Sequence, residues 1–173
     1  MKRCLLAWIS IGRCTALAPV LAAALGCAGP ENNAPKPPIG DQTPAVSPVV
    51  SSDILAREPV ANTAQVKHIL ISWNDLADAF GGHIDPRAAK RTKADAEAAV
   101  RSLVKQLKEG ADFDALMKAN SEDLGSASSG RAFTVTPDAQ LVIEFRQLSL
   151  RLSVGEFGVI QSDFGFHIIK RTS

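Results

Sequence analysis

Cysteine is scarce and badly placed for a scaffold. Only Cys4, Cys14 and Cys27 occur among the 173 residues, so the chain from Ala28 onward has no thiol for a disulfide framework, a cysteine nucleophile or a cysteine metal site. Long apolar runs are lacking too. The runs Cys4 to Gly12 and Cys14 to Cys27 are split by Arg13, and neither reaches the roughly 20 residues that a membrane-spanning helix needs. An excess of charge is also absent. There are 19 basic and 18 acidic residues, and Lys2, Arg3 and Arg13 lie in the N-terminal segment, so the remainder is slightly acidic. That balance is no footprint for nucleic acid, and no nucleic-acid partner is expected.

What the N-terminus does contain is a basic start, no acidic residue before Glu31, and an apolar stretch ending in small residues, Leu21-Ala22-Ala23-Ala24-Leu25-Gly26-Cys27. This is the pattern of a secretory signal. Leu25, Gly26 and Cys27 resemble the end of a bacterial lipoprotein signal, which implies cleavage before Cys27 and its lipidation. Several acyl chains on one cysteine anchor firmly, so the expected location is the bacterial cell envelope, lipid-anchored to a membrane. The absence of Asp at Ala28 favours the periplasmic face of the outer membrane. Next come Pro30, Pro35, Pro37, Pro38, Pro44, Pro48 and Pro59, most of the chain's 10 prolines. Proline this dense blocks helix and removes ladder donors, so the segment reads as a semi-extended tether. Within it the doublet Ile54-Leu55 is expected to dock as an ordered approach to the first strand. The organisation expected is therefore a signal over 1–26, a lipidated cysteine and Pro-rich tether over 27–64, and one domain over 65–173.

The domain opens and closes on strands that each carry a central histidine. Val66-Lys67-His68-Ile69-Leu70-Ile71 and Phe164-Gly165-Phe166-His167-Ile168-Ile169-Lys170-Arg171 concentrate β-branched and aromatic residues without helical spacing. If they pair, the two histidines meet in one sheet. Trp73 to Lys90 is polar and glycine-bearing and reads as a long loop. Its His83, Arg87, Lys90 and Arg91 read first as a solvated rim, with contact to an acidic substrate as the alternative. Thr92 and Asp95 form a capping-box pair, and Ala96, Ala99, Val100, Leu103, Val104 and Leu107 recur at helical spacing up to the stop at Gly110. Asp112 caps a shorter helix that buries Phe113, Leu116 and Met117, followed by a turn-rich stretch from Asn120 to Ser126. Gly130 to Val135 is a short strand. A third helix is expected from Pro137-Asp138, with Leu141, Val142, Phe145, Leu148 and Leu152 on one face. Phe157 to Gln161 and the closing strand then form a hairpin around a tight turn at Ser162 to Gly165.

His68-Ile69-Leu70, Gly110-Ala111-Asp112-Phe113, Ser121-Glu122-Asp123, Gly125-Ser126-Ala127, Glu144-Phe145, Gly155-Glu156 and Phe164-Gly165-Phe166-His167-Ile168-Ile169-Lys170 occur in the order and near the spacing of the parvulin peptidyl-prolyl isomerases. The chain resembles that family from Val66 to Thr172. The resemblance implies an α+β domain with a four-stranded antiparallel sheet surrounded by about four helices. It implies that His68 and His167 are paired at the centre of the sheet and that Asp123 stands beside the reacting amide, these three forming the catalytic group. Leu141, Phe145 and Phe133 would form the proline pocket, with Ser162 and Phe164 near the final turn completing substrate binding. No cofactor and no metal are expected, because rotation about an imide bond needs neither.

The sequence departs from the family where Gly130-Arg131-Ala132-Phe133-Thr134-Val135-Thr136 replaces a glycine-rich run and where Leu148-Ser149-Leu150 replaces Ala-Ala-Phe. These changes imply a reshaped pocket rim and weakened catalysis. Two functions are open: a prolyl isomerase acting on exported or envelope proteins by non-covalent stabilisation of the twisted imide, and a non-catalytic chaperone or peptide-binding module on the same fold. In either case the expected partners are unfolded or proline-containing clients and, through the anchor, a membrane, with the protein itself a monomer.

Overall fold

The computed structural model describes residues 46–173. The signal segment, Cys27 and the tether up to residue 45 lie outside the described residues. The two histidine strands do pair. β1 (Ala64–Ile71) and β4 (Gly165–Arg171) run antiparallel at the centre of a four-stranded sheet, flanked by β2 (Phe133–Val135) and β3 (Phe157–Ser162) in the order β2-β1-β4-β3. Five α-helices accompany the sheet among the described residues: α1 (Ser52–Leu55), α2 (Lys93–Lys108), α3 (Phe113–Asn120), α4 (Leu124–Ser129) and α5 (Ile143–Ser149).

The strands are buried on both faces, which is why they read as near-continuous apolar runs. One face carries Ile69, Ile71, Val159, Phe166 and Ile168 and packs against Ala96, Val100, Leu103 and Leu107 of α2 and Phe113 and Met117 of α3. The other carries Ala64, Val66, Ile160 and Ile169 and packs against Ile54 of α1 and Phe145 and Leu148 of α5. His68 and His167 lie on this second face, since alternate strand residues point to the same side. Their strand partners are Ile169 and Leu70, so the histidines are diagonal neighbours.

α2 starts as its sequence demands: Thr92 Oγ1 accepts from Asp95 N–H and Asp95 Oδ2 accepts from Thr92 N–H. Asp112 likewise caps α3 by accepting from Ala115 N–H at 2.7 Å. Gly165 is fixed by contact as well as by conformation. Its φ is +131°, and a Cβ there would lie 2.6 Å from the Ile71 carbonyl oxygen of the neighbouring strand. Ahead of the first strand, Ile54-Leu55 does dock. Ile54 is buried, Ser51 N–H donates to the Val159 carbonyl on the outer strand β3, and Val159 N–H donates to Ser51 Oγ.

Three expected elements differ. The helix expected from Pro137-Asp138 begins only at Ile143. Pro137 and Asp138 form a turn closed by Ala139 N–H to Thr136 O and by Thr136 Oγ1 to Asp138 Oδ1, and Val142, with ψ 144°, is the extended residue before the helix. The strand expected from Gly130 starts at Phe133, because Gly130 has φ +64° and terminates α4. The stretch from Asn120 to Ser126 read as turns, yet α4 starts at Leu124, its small polar sequence carrying no apolar periodicity. Within the loop from Trp73 to Lys90, Asn74–Phe80 and Ala88–Lys90 wind into 3-10 turns. None of the helices among the described residues is long and apolar enough to cross a membrane.

Candidate active site

The centre of the site is a chain of hydrogen bonds across the sheet. Nδ1 of His68 lies 3.1 Å from Nδ1 of His167, with the rings tilted by only 12° and their centroids 5.3 Å apart. Those values describe an in-plane N–H···N bond and not a face-to-face stack. At one end, His68 Nε2 is 2.8 Å from Asp123 Oδ2 and 3.0 Å from Ser126 Oγ. At the other, His167 Nε2 is 2.8 Å from Ser162 Oγ, which accepts from Phe164 N–H at 3.1 Å.

A single proton arrangement satisfies every bond with both imidazoles neutral. Ser162 O–H donates to His167 Nε2, His167 Nδ1–H donates to His68 Nδ1, and His68 Nε2–H donates to the Asp123 carboxylate. Electrostatics keep His167 uncharged and Asp123 ionised. Burial, reinforced by the adjacent His68, pushes His167 down to about 3. The hydrogen bond from His68, aided by the side chain and amide of Ser126, holds the Asp123 carboxyl well below the usual carboxylate range despite its partial burial. Asp123 is thus a fixed negative charge. It is also the N-cap of α4, where Oδ1 accepts from the amides of Gly125 and Ser126.

Beside Asp123 is a cavity of about 270 Å³ lined by His68, Asp123, Phe133, Leu141, Val142, Phe145, Phe164 and His167, with Gln140 at its edge. Its floor is aromatic. The His68 ring meets Phe133 and Phe145 edge-on, each at 5.2 Å, and Phe145 meets His167 edge-on at 5.6 Å. Phe145 comes from the first turn of α5. Leu141 comes from the bend just before Val142, so delaying the start of that helix leaves this residue on the cavity wall. Phe164 sits in the β3–β4 turn, 37% exposed, with its ring edge-on to Phe80 at 5.5 Å.

Seven of the eight expected side chains, His68, Asp123, His167, Phe133, Leu141, Phe145 and Phe164, therefore converge on one cavity. Ser162 does not line it and lies behind the histidines as the last member of the chain of bonds. Cys27 is outside the described residues. The basic loop residues divide. His83 and Lys90 are exposed; Arg87 is exposed too but pairs with Asp85 and reaches the carbonyls of Ala119, Asn120 and Ser121, and only Arg91 turns inward, to Glu122 and the Ser72 carbonyl. Sequence reasoning missed Ser72 and Ser126. Small hydroxyls of that kind carry no pattern, and only the fold brings Ser126 to His68 and Ser72 to Phe164 and Glu122. Among the described residues no group of three or more His, Cys, Asp or Glu side chains is arranged to hold a metal ion.

The sequence matches the family described as "PPIC-type PPIASE domain" over residues 52–173. It is 30% identical over 110 residues to the foldase protein PrsA of Geobacillus kaustophilus, a match covering 63% of this chain and 39% of that protein. It is 30% identical over 112 residues to the chaperone SurA of Pseudomonas aeruginosa, covering 64% of this chain and 24% of that protein. The chain thus spans less than half the length of these curated relatives. In fold it is similar to the peptidyl-prolyl isomerase ESS1 of Candida albicans, with a TM-score of 0.54 at 21% identity over 65% of this chain and 63% of that one.

Proposed function

The chain belongs to the PPIC-type, or parvulin, peptidyl-prolyl isomerase family, and from that membership we propose that it accelerates cis–trans isomerisation of Xaa-Pro bonds in protein clients through the cavity at Asp123. The observation that carries this reading is the placement of the Asp123 carboxylate beside a cavity of about 270 Å³ walled by Phe133, Leu141 and Phe145. The barrier to overcome is about 18–20 kcal/mol, and it arises from the resonance that gives the planar imide a partly negative oxygen and a partly positive nitrogen. Twisting the bond removes that charge separation.

A site lowers the barrier by favouring the twisted state over the planar one. Phe133, Leu141, Val142 and Phe145 hold the ring and exclude water from the imide nitrogen, which disfavours the more polar planar form. Asp123 stands where the preceding carbonyl swings, and its charge further disfavours the form with negative oxygen. The histidine chain keeps that charge in place and moves no proton to the substrate. No bond is made or broken, so the chemistry needs no nucleophile.

The family's glycine-rich run is replaced at little geometric cost. Gly130 keeps the left-handed position, and Thr134 is exposed and accepts from Gln65 across the strand pair, leaving Phe133 on the cavity wall. This favours an active isomerase over a binding module. On the same reading the clients are exported proteins, Cys27 carries the lipid, and the Pro-rich segment that follows it supplies the reach between the membrane and the domain, ending where Ser51 and Ile54 dock on the sheet. Fractionation tests the anchor: Cys27→Ser should move the protein from the membrane to the soluble fraction.

Exchange of Xaa-Pro peptides, followed by NMR with the whole chain lacking only its signal, tests the activity. Asp123→Asn keeps the helix cap, because Asn caps as well as Asp, but removes the charge. A fall of about 100-fold in kcat/KM is expected from the loss of one preorganised electrostatic group. No acceleration by the parent protein overturns the proposal.

A further inference from the structure

The chain of bonds described above has two ends, Asp123 and Ser162, and on the far side of the site a second set of bonds joins them. Ser162 Oγ accepts from Phe164 N–H, and the carbonyl of the same Phe164 accepts from Ser72 Oγ at 2.6 Å. Ser72 is buried, and its amide donates to Glu122 Oε2 at 2.6 Å. Glu122 precedes Asp123 in the chain. The circuit is therefore closed, running from Asp123 through His68, His167, Ser162, Phe164, Ser72 and Glu122 back to Asp123.

Arg91 pins this second half. Its Nη1 donates to Glu122 Oε1 at 2.6 Å and to the Ser72 carbonyl at 3.0 Å, so one guanidinium and one carboxylate hold both backbone groups of Ser72. The Glu122 side chain is only 2% exposed and Arg91 19%. Two further bonds lay the segment along β1: Glu122 N–H to the Leu70 carbonyl and Leu70 N–H to Ser121 Oγ. Arg87 closes over the preceding carbonyls, Ala119, Asn120 and Ser121.

We propose that Arg91, Glu122 and Ser72 are positioning residues for the isomerase site, closing the histidine chain into a ring that sets Asp123 at one end and the Ser162–Phe164 turn at the other. The proposal rests on the activity assigned above. None of the three lines the proline cavity, so each acts through another residue. The consequence is that the inward turn of Arg91 fixes the active-site carboxylate, and its charge is spent inside the protein instead of on an acidic substrate. Glu122 and Asp123, adjacent acids, then divide the work: one is tied inward to the scaffold and the other is presented to the imide.

Ser72→Ala is the decisive variant, because it breaks the ring without burying an unpaired charge and takes a donor from a single backbone carbonyl, that of Phe164. In the chain lacking its signal, kcat should fall about tenfold, as expected when supporting contacts shift a reacting group by a fraction of an ångström. KM should change by less than kcat, since Phe133, Leu141 and Phe145, which hold the proline ring, make no contact with Ser72. The imidazole nitrogen signals of His167 should move, because the acceptor and donor around Ser162 are rearranged, while the urea midpoint stays close to that of the parent. Arg91→Lys keeps the charge but loses the two-pronged grip, and its kcat should lie between the two. Unchanged kcat per folded molecule, or unchanged imidazole signals, overturns the proposal. If the parent shows no exchange at all, the functional reading fails on its own, and the imidazole signals of Ser72→Ala still decide whether the ring positions the histidines.

Discussion

Acid should weaken this fold well before its carboxylates protonate, and His167 sets the effect. Its ordinary value is 6.5 and burial pushes it down to about 3 in the folded protein. Above pH 6.5 both folded and unfolded chains hold it neutral, and it contributes no slope. As the pH falls below 6.5 the unfolded chain takes up a proton that the native chain refuses. Stability then drops by about 1.36 kcal/mol per pH unit until the native group itself protonates near pH 3. Between pH 7.5 and pH 5 the loss is about 2 kcal/mol, or a fall of roughly 8 °C in Tm for a domain of this size. Asp123, Asp85 and Glu156 are all held below their ordinary values and lose stability in the same direction, but only at lower pH, where their unfolded counterparts begin to protonate. The window from 6.5 to 5 therefore separates histidine from the carboxylates, and a variant at position 167 picks out His167 among the three histidines. Urea titrations of the parent and of His167→Asn at the two pH values measure it. The variant lacks the titrating group, so its midpoint should shift less than the parent's. Equal shifts in the two proteins would refute the assignment of a neutral, buried His167.

Three other outcomes follow from the geometry. Phe145→Ala removes a ring that both fills the core beside Leu148 and floors the cavity; it should cost about 3–4 kcal/mol by urea denaturation and raise KM for Xaa-Pro peptides. Gly165→Ala places a Cβ 2.6 Å from the Ile71 carbonyl at a φ of +131°; it should destabilise by more than about 2 kcal/mol in thermal melts and broaden the imidazole signals of His167 two residues away. Thr92→Ala removes the capping box of α2 and should cost about 1 kcal/mol without changing kcat, since that helix packs on the opposite face of the sheet.

The parts of the fold legible in the sequence are those where local chemistry and burial agree. β1 and β4 are runs buried on both faces, and α2 carries an apolar stripe between a capping box and a glycine stop. Thr92 and Asp95 could be paired from their spacing alone. The illegible parts are those where tertiary contacts override local pattern. Leu141, Val142, Phe145, Leu148 and Leu152 have helical spacing, yet only Phe145 and Leu148 lie in α5. The turn at Pro137-Asp138 and the extended Val142 hang Leu141 over the cavity instead. α4 is held by Asp123 at its N-cap and by Ser126 and Ala127 in the interior, and no periodicity announces it. At the site, His68 and His167 were visible as a pair and the cavity residues through the family resemblance. The bonds that join them were not: Ser162 was expected as a substrate contact and not as the partner of His167, and Ser126 is a residue whose type allows almost any environment. Arg87 and Arg91 show the same limit for charge. A basic residue in a polar loop reads as solvated, and only the closing of the loop over the end of α3 shows that its carbonyls and Glu122 needed those donors.

The docking of residues 47–55 on β3 bears on how clients are handled. An outer strand with free backbone groups recruits extended polypeptide by adding it to the sheet, a grip that is strong, indifferent to sequence and slow to release. Here Ser51 already occupies both backbone groups of Val159. On the proposed activity, a client could not be zipped onto that edge at Val159, which leaves the side chains of the Asp123 cavity to hold it, one proline and its neighbours at a time. Contact of that kind is brief, and brief contact suits the isomerase proposed above, which would have to let go of a chain still in the course of folding.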